Sequence, residues 1–254
     1  MKITFLGTGT SQGVPVIACP CKVCASLDAR DKRLRASVMI EEKGKVIVID
    51  SGPDFRQQML RANVKQLDGL VFTHEHKDHI AGMDDIRAFN YVLKKKIDVY
   101  ASEKVQETMK REFPYVFEDF KYPGIPEINL HTISNKEFEV AGIKLLPVEV
   151  MHYRIPVFGF RIGDFTYITD ANFISEEEKK KIRGSKIIVL NALRKEKHVS
   201  HYTLEEALNV LTDLKPEKGY LTHISHQLGL HEEVNRDLPD NIECAYDELV
   251  VEIN

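Results

Sequence analysis

Thr73-His74-Glu75-His76-Lys77-Asp78-His79 follows directly on Leu67-Asp68-Gly69-Leu70-Val71-Phe72, a run that reads as a buried strand over Leu67 to Phe72. His74 and His76 are two residues apart, so in extended backbone their side chains share a face. Asp78 and His79 come where the chain turns away. One short loop at a strand end can therefore offer ligands to two neighbouring metal ions. Imidazole and carboxylate donors suit zinc, manganese or iron in a hydrolytic site. A merely polar surface loop has no need of three histidines and an aspartate within six residues.

The rest of the chain is compatible with a large soluble hydrolase. Its 254 residues, 43% hydrophobic and 29% charged, can fill the core of a single domain spanning 1–254. A formal net charge of −4, from 35 Lys plus Arg against 39 Asp plus Glu, argues against a nucleic-acid backbone as partner. No stretch approaches the roughly 18 apolar residues of a membrane span. Gly7-Thr8-Gly9-Thr10, after an early lysine, interrupts any signal-peptide core, so a cytoplasmic location is expected.

Strand patterns occur in both halves. Lys2 to Leu6 alternates and leaves through the Gly-Thr-Gly-Thr run, which reads as a flexible loop. Ser37 to Ile40 and Lys45 to Asp50 flank a hairpin turn at Glu41-Glu42-Lys43-Gly44 and lead to a helix over Asp54 to Asn63. Helical patterns from Ile80 to Arg111 enclose a short strand, Ile97 to Tyr100. Pro114, Pro123 and Pro126 then mark a looser segment suited to an insertion. Strands follow at Glu137 to Ala141, Lys144 to Val150, Phe158 to Ile162 and Phe165 to Ile168. A helix over Ser175 to Arg183, a strand Lys186 to Leu190, a helix Leu204 to Leu214 and a strand Gly219 to Thr222 complete the second half. Strand-rich blocks with interposed helices imply an α+β protein, a four-layer αββα sandwich.

A second chelating pattern lies in Cys19-Pro20-Cys21-Lys22-Val23-Cys24. Clustered thiols read more naturally as metal ligands than as disulfides, and three thiolates need a fourth donor to close a tetrahedral site. Cys244, His226 and His231 are the candidates. The spacing in Gly7-Thr8-Gly9-Thr10-Ser11-Gln12-Gly13 is wrong for a dinucleotide loop, and Pro15 with the cysteines stands where a phosphate-binding helix would begin.

His-x-His-x-Asp-His after a strand resembles the metallo-β-lactamase fold superfamily, and the resemblance extends over nearly the whole chain. It implies that His74, His76 and His152 hold one divalent ion and Asp78, His79 and His223 a second, either zinc or manganese. Asp170 would bridge them, and Asp50 would orient the histidine loop. Two such ions can share a hydroxide nucleophile for an in-line displacement. The stretch LGTGTSQGVPVIACPCKVC and the later THISHQ are similar to the PhnP-type phosphodiesterases, which cleave a cyclic phosphoribosyl phosphate. That similarity assigns Cys19, Cys21, Cys24 and His226 to a structural zinc. It also implies a homodimer, and a histidine at position 201 that contacts phosphate or assists the leaving group. His201 lies just before Thr203-Leu204-Glu205-Glu206, a capping box at a helix N-terminus that favours an anion.

The resulting expectation is a binuclear phosphodiesterase acting on a small cyclic or linear diester through a metal-bridging hydroxide, with Asp78 and His201 as proton-handling groups. Three other readings share parts of the pattern. A transfer-RNA 3′-processing endonuclease would need a basic arm, and no long Gly/Lys-rich arm is present. A thioesterase of the glyoxalase II type shares the histidine run without the cysteines. A non-catalytic metal-binding protein would not need every ligand intact.

Overall fold

Residues 1–118 and 122–253 are described in a computed structural model. Part of the proline-marked segment, residues 119–121, lies outside them, as does residue 254.

Apolar runs become strands, and the way they divide their side chains sets the layers. The first half contributes β1 (Lys2–Gly7), β2 (Ser37–Glu42), β3 (Lys45–Ile49), β4 (Gly69–Val71), β5 (Ile97–Ala101) and β6 (Ile128–Thr132). The second contributes β7 (Phe138–Val140), β8 (Ile143–His152), β9 (Ile155–Ile162), β10 (Phe165–Tyr167), β11 (Ile187–Asn191), β12 (Lys218–Thr222), β13 (Ile242–Cys244) and β14 (Val250–Glu252). They form two seven-stranded sheets, ordered β14-β1-β2-β3-β4-β5-β6 and β13-β12-β11-β10-β9-β8-β7. β3 to β6 run parallel, as do β10 to β13, and the remaining pairs are antiparallel.

In β3, Ile47 and Ile49 point between the sheets while Val48 points outward. A strand apolar on both faces must be covered on both. Between the sheets, Phe5, Ile40 and Val71 meet Phe160, Tyr167 and Val189. Outside the first sheet, Val48 and Leu70 pack with Phe55, Met59, Phe89 and Met109. Outside the second, Ile188 and Leu221 pack with Ile182, Leu211 and Leu214. Helix, sheet, sheet and helix are thus cemented by three apolar layers, and the αββα sandwich expected from the sequence is the observed fold.

Several boundaries shift. The helix after Asp50 runs only Phe55–Arg61, with Asp54 as N-cap. The second-half helix spans Glu176–Ile182, capped by Ser175 accepting from the Glu178 amide at 3.2 Å. β8 continues to His152, and β9 begins at Ile155 despite Pro156. The loop after β1 is not loose, because Thr8 and Thr10 are buried. The Thr8 amide and hydroxyl donate to Asp247 Oδ1 at 2.9 and 2.8 Å, and the Ile224 amide donates to the Thr8 carbonyl at 2.9 Å. Among the described residues no helix is long and apolar enough to cross a membrane.

Candidate metal centre

Strand ends supply this site. Asp50 directly follows β3, His74 comes three residues after β4, His152 ends β8, Asp170 lies three residues past β10 and His223 follows β12. Strands fixed in two packed sheets hold these ends in place, so residues distant in sequence meet without long flexible side chains. Asp50, Asp170 and His223 have φ of 65°, 59° and 52°, the left-handed region that non-glycine residues seldom occupy. Each therefore turns sharply as its strand ends.

The histidine run folds closely against Asp50-Ser51-Gly52. The Ser51 amide donates to the His79 carbonyl at 2.8 Å, and the Gly82 amide to the Ser51 carbonyl at 2.8 Å. A Cβ on Gly52 would collide with the Asp78 carbonyl, and one on Gly82 with the Gly52 carbonyl. Only glycine permits this approach. Asp50 is fully buried and accepts from the Thr73 amide (2.9 Å), the Thr73 hydroxyl (2.8 Å) and His79 Nδ1–H (2.8 Å). Burial raises its carboxyl pKa, and these donors oppose that shift. With Nδ1 committed to Asp50, His79 presents Nε2 to the site.

Two ligand groups result. Donor atoms of His74, His76 and His152 lie within 4.8 Å of one another, and those of Asp78, His79, Asp170 and His223 do the same. His79 Nε2 is 3.2 Å from both Asp78 Oδ2 and Asp170 Oδ2, while His223 Nε2 is 3.2 Å from Asp170 Oδ1. His152 Nδ1–H donates to the Ser200 carbonyl at 2.9 Å, which leaves Nε2 for the site. Asp170 also groups with His152 and His201, so it adjoins both ligand sets, where a bridging carboxylate belongs.

The donor atoms test whether metal fits. Among the described residues, His79 Nε2, His201 Nδ1 and both ring nitrogens of His223 are buried without a partner in hydrogen-bond geometry. Orphaned polar atoms in a protein interior are costly, and cations among these nitrogens and carboxylates would satisfy them. Charge follows the same pattern. Burial opposes ionisation of Asp78, yet His79 and His223 hold its pKa well below the carboxylate range. Burial drives His74 down, whereas Asp78, Asp170 and Asp50 overcome it at His79 and drive that pKa up.

His201 stands against the same cluster, its ring stacked on His223 with centroids 4.8 Å apart and its Nδ1 3.7 Å from Asp170 Oδ1. Burial, then His223, lowers its pKa to about 3. The capping box beside it is present: the Glu206 amide donates to Thr203 Oγ1 at 3.2 Å, and the Thr203 amide to Glu206 Oε2 at 2.9 Å.

Cys19, Cys21, Cys24 and His226 converge separately, with all four donor atoms within 4.8 Å. His226 Nδ1 is 3.3 Å from both Cys19 Sγ and Cys21 Sγ. In a tetrahedral zinc site with metal–sulfur bonds of ~2.3 Å, neighbouring ligand atoms stand roughly 3.5 to 3.8 Å apart. The fit is close. The Cys24 amide and His226 draw Cys21 down to about 6, while burial pushes Cys24 up to about 11. Of the other candidates for fourth ligand, Cys244 lies in β13 with burial raising its thiol to about 11. His231 Nδ1 accepts from Arg33 at 3.2 Å.

Some surroundings of the site have no sequence signature. Asp247 gathers Thr8, Leu34 and Arg61, and so fixes the loop that runs beside Ile224. His198 stands with its ring centroid 5.1 Å from that of His201. Asp247 belongs to no motif and only the fold brings it close, whereas His198 lies three residues before His201 in the same loop.

Comparison with known proteins agrees with this geometry. Residues 45–224 match the beta-lactamase superfamily domain. A solved diphosphatase of the PhnP family superposes with a TM-score of 0.93 and 40% identity, covering 100% of this chain and 98% of the other. A protein of Porphyromonas gingivalis named octanoyltransferase is 38% identical over 98% of this chain and 51% of its own length. Ribonuclease Z of a Nostoc species is 28% identical over 65% of this chain and 47% of its own length. The chain thus spans about half the length of the curated relatives it matches.

Proposed function

This chain belongs to the beta-lactamase superfamily and has the hydrolytic metallo-β-lactamase fold, and on that footing we propose that it is a phosphodiesterase for small cyclic or linear phosphodiesters. The observation that carries the reading is the pair of ligand groups adjoined by one carboxylate, Asp170, with the buried His201 beside it. The similarity to a PhnP-family diphosphatase supports phosphorus as the centre attacked.

His74, His76 and His152 would hold one divalent ion, zinc or manganese, and Asp78, His79 and His223 the other, with Asp170 between them. Such a pair supplies a strong nucleophile near neutral pH and offsets charge on the phosphoryl oxygens. Asp50 sets the tautomer of His79, and the Ser200 carbonyl sets that of His152. Asp78 is held as a carboxylate by His79 and His223, fit to bind a metal ion and to accept a hydrogen bond from an attacking water. His201, which its low pKa leaves neutral near pH 7, is poised to orient phosphate through its ring N–H, next to a helix N-terminus that favours anions. The four thiol and imidazole donors of the cysteine loop would hold a structural zinc. His226, three residues after His223, would tie it to the strand end that carries a ligand.

The ribonuclease Z reading shares the metal donors, and the acidic balance of the chain favours a small diester over RNA. The octanoyltransferase name belongs to a protein about twice as long, and so assigns no acyl chemistry to the matched half. A substrate panel separates these readings: cyclic phosphoribosyl phosphate, 2′,3′-cyclic nucleotides, precursor transfer RNA and a thioester. The proposal requires the highest kcat/KM among the small diesters. Preference for transfer RNA or for the thioester overturns it.

A further inference from the structure

The tip of the β8–β9 hairpin breaks a local folding rule. His152 pairs with Ile155, so Tyr153 and Arg154 form a two-residue turn, a place that favours glycine or asparagine. Tyr153 instead takes φ of 57° and is 52% exposed. A bulky aromatic residue in the left-handed region gains little burial here in return, and its face is left to solvent.

Two further exposed apolar side chains lie on segments tied to this hairpin by hydrogen bonds. Phe173 is 56% exposed and three residues beyond Asp170, and Val199 is 71% exposed and two before His201. Hydrogen bonds link the three segments, one between backbones and two through the Asn172 side chain. The Met151 amide donates to the Phe173 carbonyl at 2.9 Å, the Tyr153 amide to Asn172 Oδ1 at 2.8 Å, and Asn172 Nδ2 to the Val199 carbonyl at 3.3 Å. Each segment also carries a residue of the metal centre, so the apolar side chains are continuous with it through backbone. The Arg154 guanidinium lies 5.1 Å from the Tyr153 ring centroid, adding positive charge and a second planar surface.

From this arrangement we propose that Tyr153, Arg154 and Phe173 form a subsite for a planar heteroaromatic group, so that the substrate is a phosphate ester bearing a nucleobase. This rests on the phosphodiesterase reading for its place beside the metal centre. An acyl chain gains chiefly from enclosure, which side chains more than half exposed do not provide. A flat ring gains from one stacking face, and its phosphate would lie toward the metal ligands.

Calorimetry on the metal-loaded protein with adenosine monophosphate, ribose 5-phosphate and octyl phosphate tests this directly. The base-bearing ligand should bind about tenfold tighter than ribose 5-phosphate, the lower range for one aromatic stack. Tyr153→Ala or Phe173→Ala should remove that preference and leave ribose 5-phosphate binding unchanged. Equal binding of the first two ligands overturns the subsite, as does a preference that survives both substitutions or tightest binding of octyl phosphate. Turnover of 2′,3′-cyclic AMP against base-free cyclic phosphoribosyl phosphate separates this idea from the one beneath it. If neither diester is cleaved while the base preference persists and Tyr153→Ala abolishes it, the phosphodiesterase reading fails and the subsite stands. If both are cleaved with equal kcat/KM, the reverse holds.

Discussion

The histidine–aspartate centre and the cysteine cluster are both built from four or more donors, yet they are assembled in opposite ways. The first collects residues from Asp50 to His223 out of strand ends in two sheets, and most are buried. The second takes three thiols from one six-residue loop and closes on His226, with Cys19, Cys21 and His226 only half-buried. Strand ends give rigid placement, which chemistry on a substrate requires. A loop has little rigidity of its own, and metal in such a loop contributes order instead. The centre should therefore govern turnover and the cluster should govern stability.

The largest effect that would break this contrast is at the shared carboxylate. Asp170→Asn keeps a residue that tolerates the left-handed backbone but removes the charge, and turnover of bis(p-nitrophenyl) phosphate should fall on the order of 10³-fold. The melting temperature should move far less in proportion. One step outward, Asp50→Asn leaves His79 without its anionic partner, and metal affinity or turnover should drop about 10- to 100-fold by titration with a chelator. Cys21→Ala should release one metal ion and lower the melting temperature while kcat stays within a few-fold of the parent. Loss of turnover with the melting temperature and metal content intact would end the division of roles.

The smallest effect concerns the support around the cysteine loop. Burial, then Arg33 and Arg30, lowers His231 to about 4. The unfolded chain, with an imidazole near 6.5, binds more protons through that window, so stability increases with pH between about 4 and 6.5. It is complete above the unfolded value and is lost as pH falls toward the folded one. Thermal melts at pH 5 and 7.5 should show a larger acid loss in the parent than in His231→Gln.

Much of the site was legible because its ligands sit at motif spacing or end recognisable strands. His74, His76 and His152 come together in one group and Asp78, His79, Asp170 and His223 in another, with Asp50 hydrogen-bonded to His79 behind them. His226 was one of three possible partners for the thiols by residue type, and the fold separates them. Less was visible where burial is one-sided or short. β6 is an edge strand with only Ile128 and Leu130 partly covered, and β13 and β14 have three residues each, too few to show alternation. The bracing of Thr8 by Asp247 spans 239 residues and follows no local pattern. The left-handed turns at Asp50, Tyr153, Asp170 and His223 are equally hidden, because no local pattern marks which residue past a strand takes that conformation.

Metal content measured alongside turnover tests the central claim most directly. The account predicts about three metal ions per chain in the parent, with His76→Ala losing active-site metal and bis(p-nitrophenyl) phosphate turnover together while the thiol-bound ion remains. Full turnover from chain stripped of metal would contradict it.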